Sequence, residues 1–199
     1  MERLYKKLIK KLVDNGNICN EDQEIYQYAL KSVLILGGNI LLSLTIGVCM
    51  RKLGYCALFL CMLIPLRSDA GGYHAPNLFF CYLLSFTALI FTLLRAKEAG
   101  GLRLAVISVF ALGSLLLIFL FAPLDSASRP LKGQERKVIR RRARIIVCVE
   151  WIIGGLLLVV SPPAAYTVWS AIVWSGVGYI AWLIQRKRRN RKDILFTAS

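Results

Sequence analysis

The chain has 199 residues, 57% of them hydrophobic, with a mean hydropathy of +0.58 and a formal net charge of +15. These values exclude an ordinary water-soluble domain and make the lipid bilayer the expected solvent. At ~20 residues per crossing, a chain of this length holds about six spans and no second folded domain, so residues 1–199 are expected to form one membrane domain.

The first element is short and two-faced. Leu4, Tyr5, Leu8, Ile9, Leu12 and Val13 fall on one side at helical spacing, with Lys6, Lys7, Lys10 and Lys11 on the other, which predicts an N-terminal amphipathic helix lying in the membrane interface. This charged start has no apolar h-region followed by a small-residue cleavage site, so no removable signal peptide is expected. Asn15-Gly16 ends that helix. A second can start at Asn20, with Gln23 completing a capping box and Glu21, Asp22 and Glu24 suiting its first turn.

Six apolar segments follow, at 33–50, 53–66, 78–94, 104–122, 145–160 and 166–184, between charged or Gly/Pro-bearing breaks. The fold class expected is therefore all-α, a polytopic bundle of six transmembrane helices at 33–184 between a cytoplasmic N-terminal region (1–31) and a basic cytoplasmic tail (185–199). The second segment is short enough to be re-entrant, so its crossing rests on charge. With six crossings and both termini inside, Lys and Arg number six in 1–31, one at Arg67, eight in 129–144 and six in 186–192, against two, three and none in the outer connections. If the second segment failed to cross, the eight-charge connection would fall outside, against the positive-inside bias.

The same bias accounts for the basic runs 140–144 and 186–189. In a soluble chain they would raise nucleic-acid binding, but here they directly flank apolar segments and meet anionic lipid of the cytoplasmic leaflet. Nucleic acid is not expected as a partner. Six cysteines are present without the spacing of a zinc site or a disulfide framework, and most are read as small buried hydrophobes. No metal and no cofactor are expected.

Chemistry concentrates in the connection between the second and third spans, Arg67-Ser68-Asp69-Ala70-Gly71-Gly72-Tyr73-His74-Ala75-Pro76-Asn77, which holds the chain's single histidine; Cys81 follows seven residues later. A nucleophilic cysteine needs a nearby base to take its proton. On one continuous helix seven residues rise about 10.5 Å, too far for contact. Pro76 favours the first helical position and pushes Ala75 toward extended backbone, so His74 falls just outside the helix. Gly71-Gly72 can then fold it back toward the thiol, which tilts toward the helix N-terminus. The glycine loop and the free N–H groups at the helix start are candidate oxyanion donors. The residues taken singly leave plainer readings open: an interfacial histidine, a packing cysteine, and Arg67 as an interfacial anchor ion-paired with Asp69 across an ordinary Gly-Gly turn.

Arg67, Gly71-Gly72-Tyr73-His74-Ala75 and Cys81 together resemble the signature of the AgrB (accessory gene regulator B) family, membrane cysteine endopeptidases that process the precursor of a cyclic autoinducing peptide used in quorum sensing. The resemblance implies Cys81 as nucleophile and His74 as general base, with Arg67, Gly71 and Gly72 as motif or substrate-binding residues. The resemblance does not carry Asp69 over as a triad member, and its place in the chain close to His74 makes it a candidate orienting carboxylate. An AgrD-like precursor peptide is the implied substrate, with a homodimer left open. The reading from another class is a small membrane transporter or channel component in which loop 67–77 lines the pathway.

Overall fold

The computed structural model describes residues 23–70, 78–122 and 133–197. Every element among them is an α-helix: α1 (Gln23–Cys49), α2 (Leu53–Ala70), α3 (Leu78–Ala96), α4 (Gly101–Phe121), α5 (Gly133–Val160) and α6 (Pro162–Thr197). The interfacial helix expected at 1–13 and the capping box at Asn20 lie outside the described residues. The chain divides into two compact units, 1–45 and 46–199.

In the first unit, residues 23–45 continue one helix. Ser43 Oγ donates to Asn39 Oδ1 at 3.3 Å and Thr45 Oγ1 to the Leu41 carbonyl at 2.9 Å, so hydroxyls on an apolar helix find partners one turn back. Val33, Leu34, Leu36 and Leu41 are exposed.

In the second unit, α1 ends in a Schellman-type cap. The Arg51 N–H donates to the Val48 carbonyl and the Lys52 N–H to the Gly47 carbonyl, both at 2.9 Å, with Arg51 at φ +53°. Lys52 then reaches across to donate to the carbonyl of Leu93, near the end of α3, which sets α2 antiparallel to α3. The four residues 97–100 reverse the chain into α4. There the Leu104 N–H donates to the carbonyl of Gly100, whose extended backbone marks the cap. Helix α4 stops where Ala122, ahead of Pro123, turns extended. Ser161 alone separates α5 from α6. Its carbonyl accepts from Ala164 and Ala165, and Pro162 takes the first helical position, where a missing N–H costs nothing.

Helices α4, α5 and α6 contain segments long and apolar enough to cross a bilayer: Gly101–Phe121, Arg136–Val160 and Pro162–Ile184. Of the six spans expected, the other three correspond to shorter apolar helices, Val33–Cys49, Leu53–Leu66 and Leu83–Ala96, of 10–17 residues. The chain is thus a multi-pass membrane protein. Its surface supports this independently, because Leu102, Val109, Leu120, Leu156 and Val159 all point outward, where a soluble protein would carry charge.

Helices run past the apolar segments of the sequence reading, most of all at the two basic stretches. The basic segment before 145 is helical from Gly133, and the basic tail is helical to Thr197. At 28 residues α5 spans about 42 Å, more than the ~30 Å of hydrocarbon, so its charged turns extend past the apolar part without a break.

Helix α6 is the hub, packing against α2, α3, α4 and α5. In lipid, helices gain little from excluding water, so association depends on close approach at small residues. The contacts follow that rule. A Cβ added at Gly154 of α5 would lie 2.3 Å from Trp169 Nε1, and one at Gly176 of α6 would lie 2.3 Å from Ser114 Oγ of α4. Around these points Leu66, Ile118, Ala143, Val147, Ile172 and Tyr179 belong to one buried cluster.

Candidate functional site

The last turn of α2 carries Arg67 and Asp69, and the first turn of α3 carries Cys81. Gly71, Gly72 and His74 lie outside the described residues. The connection between the two helices is shorter than the sequence reading had it: α2 continues through Ala70, so Arg67 and Asp69 are helical residues and the link is 71–77. Pro65 lies inside α2, where it lacks the amide proton that would normally bond the carbonyl of Cys61. Leu66, next to Arg67, is fully buried and fixes this end of α2 in the common core.

The same end of the bundle holds the C-terminus of α4 and the basic start of α5. Arg140 Nε donates to the carbonyl of Ala122 and Arg144 Nε to that of Phe119, each at 3.0 Å, and the Arg144 guanidinium lies 4.4 Å from the centre of the Phe119 ring. Two cations one turn apart on α5 therefore occupy the negative end of the α4 dipole and satisfy carbonyls that have no partner within their own helix. The sequence reading counted these arginines only as topogenic charge. Their four-residue spacing, opposite a helix stopped by Pro123, was the available signal.

At the other end, the connection 97–100 is electrostatically organised. Arg103 Nη1 lies 2.5 Å from Glu98 Oε2, and Arg95 Nη1 lies 3.6 Å from the same oxygen. Glu98 is held below its ordinary carboxylate range, mainly by the Arg103 hydrogen bond and charge, with Arg95 and Lys52 adding smaller contributions.

The helix directions make α2, α4 and α6 run one way and α3 and α5 the other. The end of α2, the start of α3, the end of α4 and the start of α5 consequently share one side, while links 50–52, 97–100 and Ser161 share the opposite side. Among the described residues, no group of three or more His, Cys, Asp or Glu side chains is placed to hold a metal ion. Of the cysteines with described side chains, Cys56 is fully buried, at van der Waals range from Gly47, whereas Cys49 and Cys61 are exposed and Cys148 half-buried.

Comparison with known proteins gives a consistent result. The model of the family "Accessory gene regulator B" matches residues 5–185. A putative AgrB-like protein 2 of Clostridium perfringens (strain 13) is 22% identical over 189 residues, covering 92% of this chain and 88% of the relative. A putative AgrB-like protein of Listeria innocua is 37% identical over 81 residues, covering 40% of this chain and 39% of the relative. No solved structure matches.

Proposed function

The chain belongs to the accessory gene regulator B family, and from that premise we propose that it is a membrane cysteine endopeptidase that cleaves an AgrD-like precursor peptide on the cytoplasmic side and promotes its cyclisation. The observation that carries the reading is the motif Arg67, Gly71-Gly72, His74 and Cys81 within a chain that the family covers almost end to end. The position of Cys81 supports it. The residue sits in the first turn of α3, and helix N-termini stabilise negative charge at a thiolate and at an oxyanion.

In this mechanism His74 accepts the Cys81 proton, and the thiolate attacks a precursor carbonyl. A carbon–sulfur bond forms, the peptide carbon–nitrogen bond breaks, and the leaving amine takes the proton from His74. The acyl-enzyme thioester then passes to a nucleophile within the bound peptide. A thiol there gives a thiolactone and regenerates the Cys81 thiol, while limited water at the interface restrains hydrolysis. Arg67, Gly71 and Gly72 act as motif residues around the peptide, and Asp69 as a candidate orienting carboxylate for His74. Both termini are cytoplasmic in this reading, on the same side as link 71–77, as the excess of Lys and Arg requires.

Single replacements test it. Cys81→Ser and His74→Ala should each abolish release of the precursor's C-terminal segment from protein that still inserts and can be extracted, while Cys61→Ala should retain release. Equal loss from Cys61→Ala and Cys81→Ala at intact expression would overturn the single-nucleophile account. A precursor lacking its ring-forming nucleophile should leave a hydroxylamine-sensitive adduct on Cys81, detected by mass spectrometry.

A further inference from the structure

Helices α3 and α4 are joined by only four residues, yet among the described residues they do not pack against each other; each lies on α6 instead. The result is a seam, closed at one end by link 97–100 and floored by the hub helix. Near that link α6 is enclosed, with Ala165, Val168 and Ile172 fully buried. Further along, Val177, Ile180 and Ile184 are 41%, 45% and 52% exposed. At about 100° per residue these three fall between Gly176, which faces Ser114 of α4, and Trp174, which meets Phe91 of α3 with ring centres 6.4 Å apart. The exposed stripe is therefore the floor of the seam.

The two walls match. On α3, Leu84, Phe91 and Arg95 share the face that meets Trp174; Leu84 and Phe91 are exposed, and the Arg95 guanidinium lies 5.9 Å from the centre of the Phe91 ring. On α4, Arg103 and the exposed Phe110 follow one another at seven residues, on the side opposite Phe119, the residue that meets Arg144 of α5. Each wall thus carries an aromatic ring topped by an arginine. Both arginines converge on Glu98 and keep 48% of their side-chain surface exposed. Lys52 reaches the same carboxylate and Lys97 lies in the link, so four cations face one acid. The sequence reading counts these four in the outer connections, where the positive-inside bias gives no reason for them. The apolar segment of α4 begins at Gly101 and its 21 residues rise about 32 Å, close to the ~30 Å of hydrocarbon, so the cluster is level with lipid headgroups.

We propose that the seam holds one anionic phospholipid, its phosphate received by Arg95 and Arg103 and an acyl chain laid between the walls along Val177, Ile180 and Ile184. The inference is independent of the peptidase reading. Guanidinium groups bind phosphate through paired N–H donors, and basic pockets between membrane helices recognise headgroups in this way. An apolar strip flanked by two rings contacts a hydrocarbon chain on three sides, where a single helix face contacts it on one. Charge complementarity selects this occupant. A second copy of the bundle, docked about a two-fold axis at the same seam, would bring its own four cations against these.

The test uses the full-length protein in detergent, with phosphatidylglycerol and phosphatidylcholine of identical oleoyl chains as probes and native mass spectrometry as the readout, on variants that elute as a single species. One phosphatidylglycerol should stay bound in preference to phosphatidylcholine. The double variant Arg95→Gln/Arg103→Gln should weaken it at least about tenfold, since two charge-assisted hydrogen bonds are removed. Val177→Trp, at a position exposed on the floor, should fill the seam and lower occupancy as well. Glu98→Gln removes an ion pair but frees Arg103 for phosphate, so it should hold the lipid at least as tightly as wild type. Loss of lipid in Glu98→Gln as large as in the arginine variant would overturn the proposal, as would unchanged binding in the arginine variant and in Val177→Trp. Equal loss from Lys137→Gln/Arg141→Gln, at the opposite end of the bundle, would show unselective attraction and overturn it too. Displacement of the lipid by excess inorganic phosphate would give the cluster to soluble anions, and a lipid-free dimer dissociated by Val177→Trp would give the seam to a second copy; either result overturns the assignment.

Discussion

Replacing Gly154 by alanine adds one methyl group at the crossing of α5 and α6. The new Cβ would sit 2.3 Å from Trp169 Nε1 and 2.6 Å from its Cδ1, more than 1 Å inside normal contact. The indole cannot step aside freely. It is 4% exposed, its N–H reaches the Trp151 carbonyl at 3.5 Å, and its ring lies 6.5 Å from that of Trp151. Overpacking of this kind costs about 1–3 kcal/mol. At roughly 2–4 °C per kcal/mol for a chain of this size, the melting temperature should drop by about 2–12 °C. The neighbouring Gly155 is the control, since a Cβ there meets nothing within 4 Å. Both substitutions gain the same helix propensity, up to ~1 kcal/mol, so their difference isolates the steric conflict. Thermal melting in detergent, read by size-exclusion of the heated samples, measures both. Gly154→Ala melting at or above Gly155→Ala would refute the account of close packing at α5–α6. Partial recovery by adding Trp169→Leu would identify the indole as the obstacle.

Two other outcomes follow from the ends of the helices. Arg144→Ala removes both the hydrogen bond to the Phe119 carbonyl and the stacking on its ring, so it should lower stability by roughly 1–3 kcal/mol and more than Arg141→Ala, on an exposed position of the same helix; melting of the two variants side by side checks this. Glu98 should make stability depend on acid. Its folded pKa is lowered, chiefly by Arg103, so its stabilising contribution is present above the ordinary carboxylate range and is lost as the pH falls through the lowered folded value. Wild type should therefore melt above Glu98→Gln at neutral pH, and the two should converge in acid, with the difference shrinking at high salt because the group is exposed.

The sequence alone determined the solvent and the helical class, and it supplied the motif on which the proposed chemistry rests. Apolar runs with charged breaks can be satisfied in lipid only by helices that close their own hydrogen bonds, so composition and period sufficed for that much. The Arg67 to Cys81 motif was equally local, since its residues lie within fifteen positions and carry their own proline and glycines. Helix lengths were less legible. Hydropathy sees where apolar residues stop, whereas a helix continues until its backbone is broken, so α5 begins at Gly133 and α6 runs on through the basic tail. Only the tertiary structure decided what depends on partners from distant segments. Arginines read as topogenic charge turned out to close the end of α4, because that end presents unpaired carbonyls to them. Among the described glycines, Gly154 and Gly176 are where α5 and α6, and α6 and α4, approach most closely. The one-residue turn at Ser161 fixes the register of α5 against α6, bringing Gly154 against Trp169, and that register cannot be read from either helix by itself.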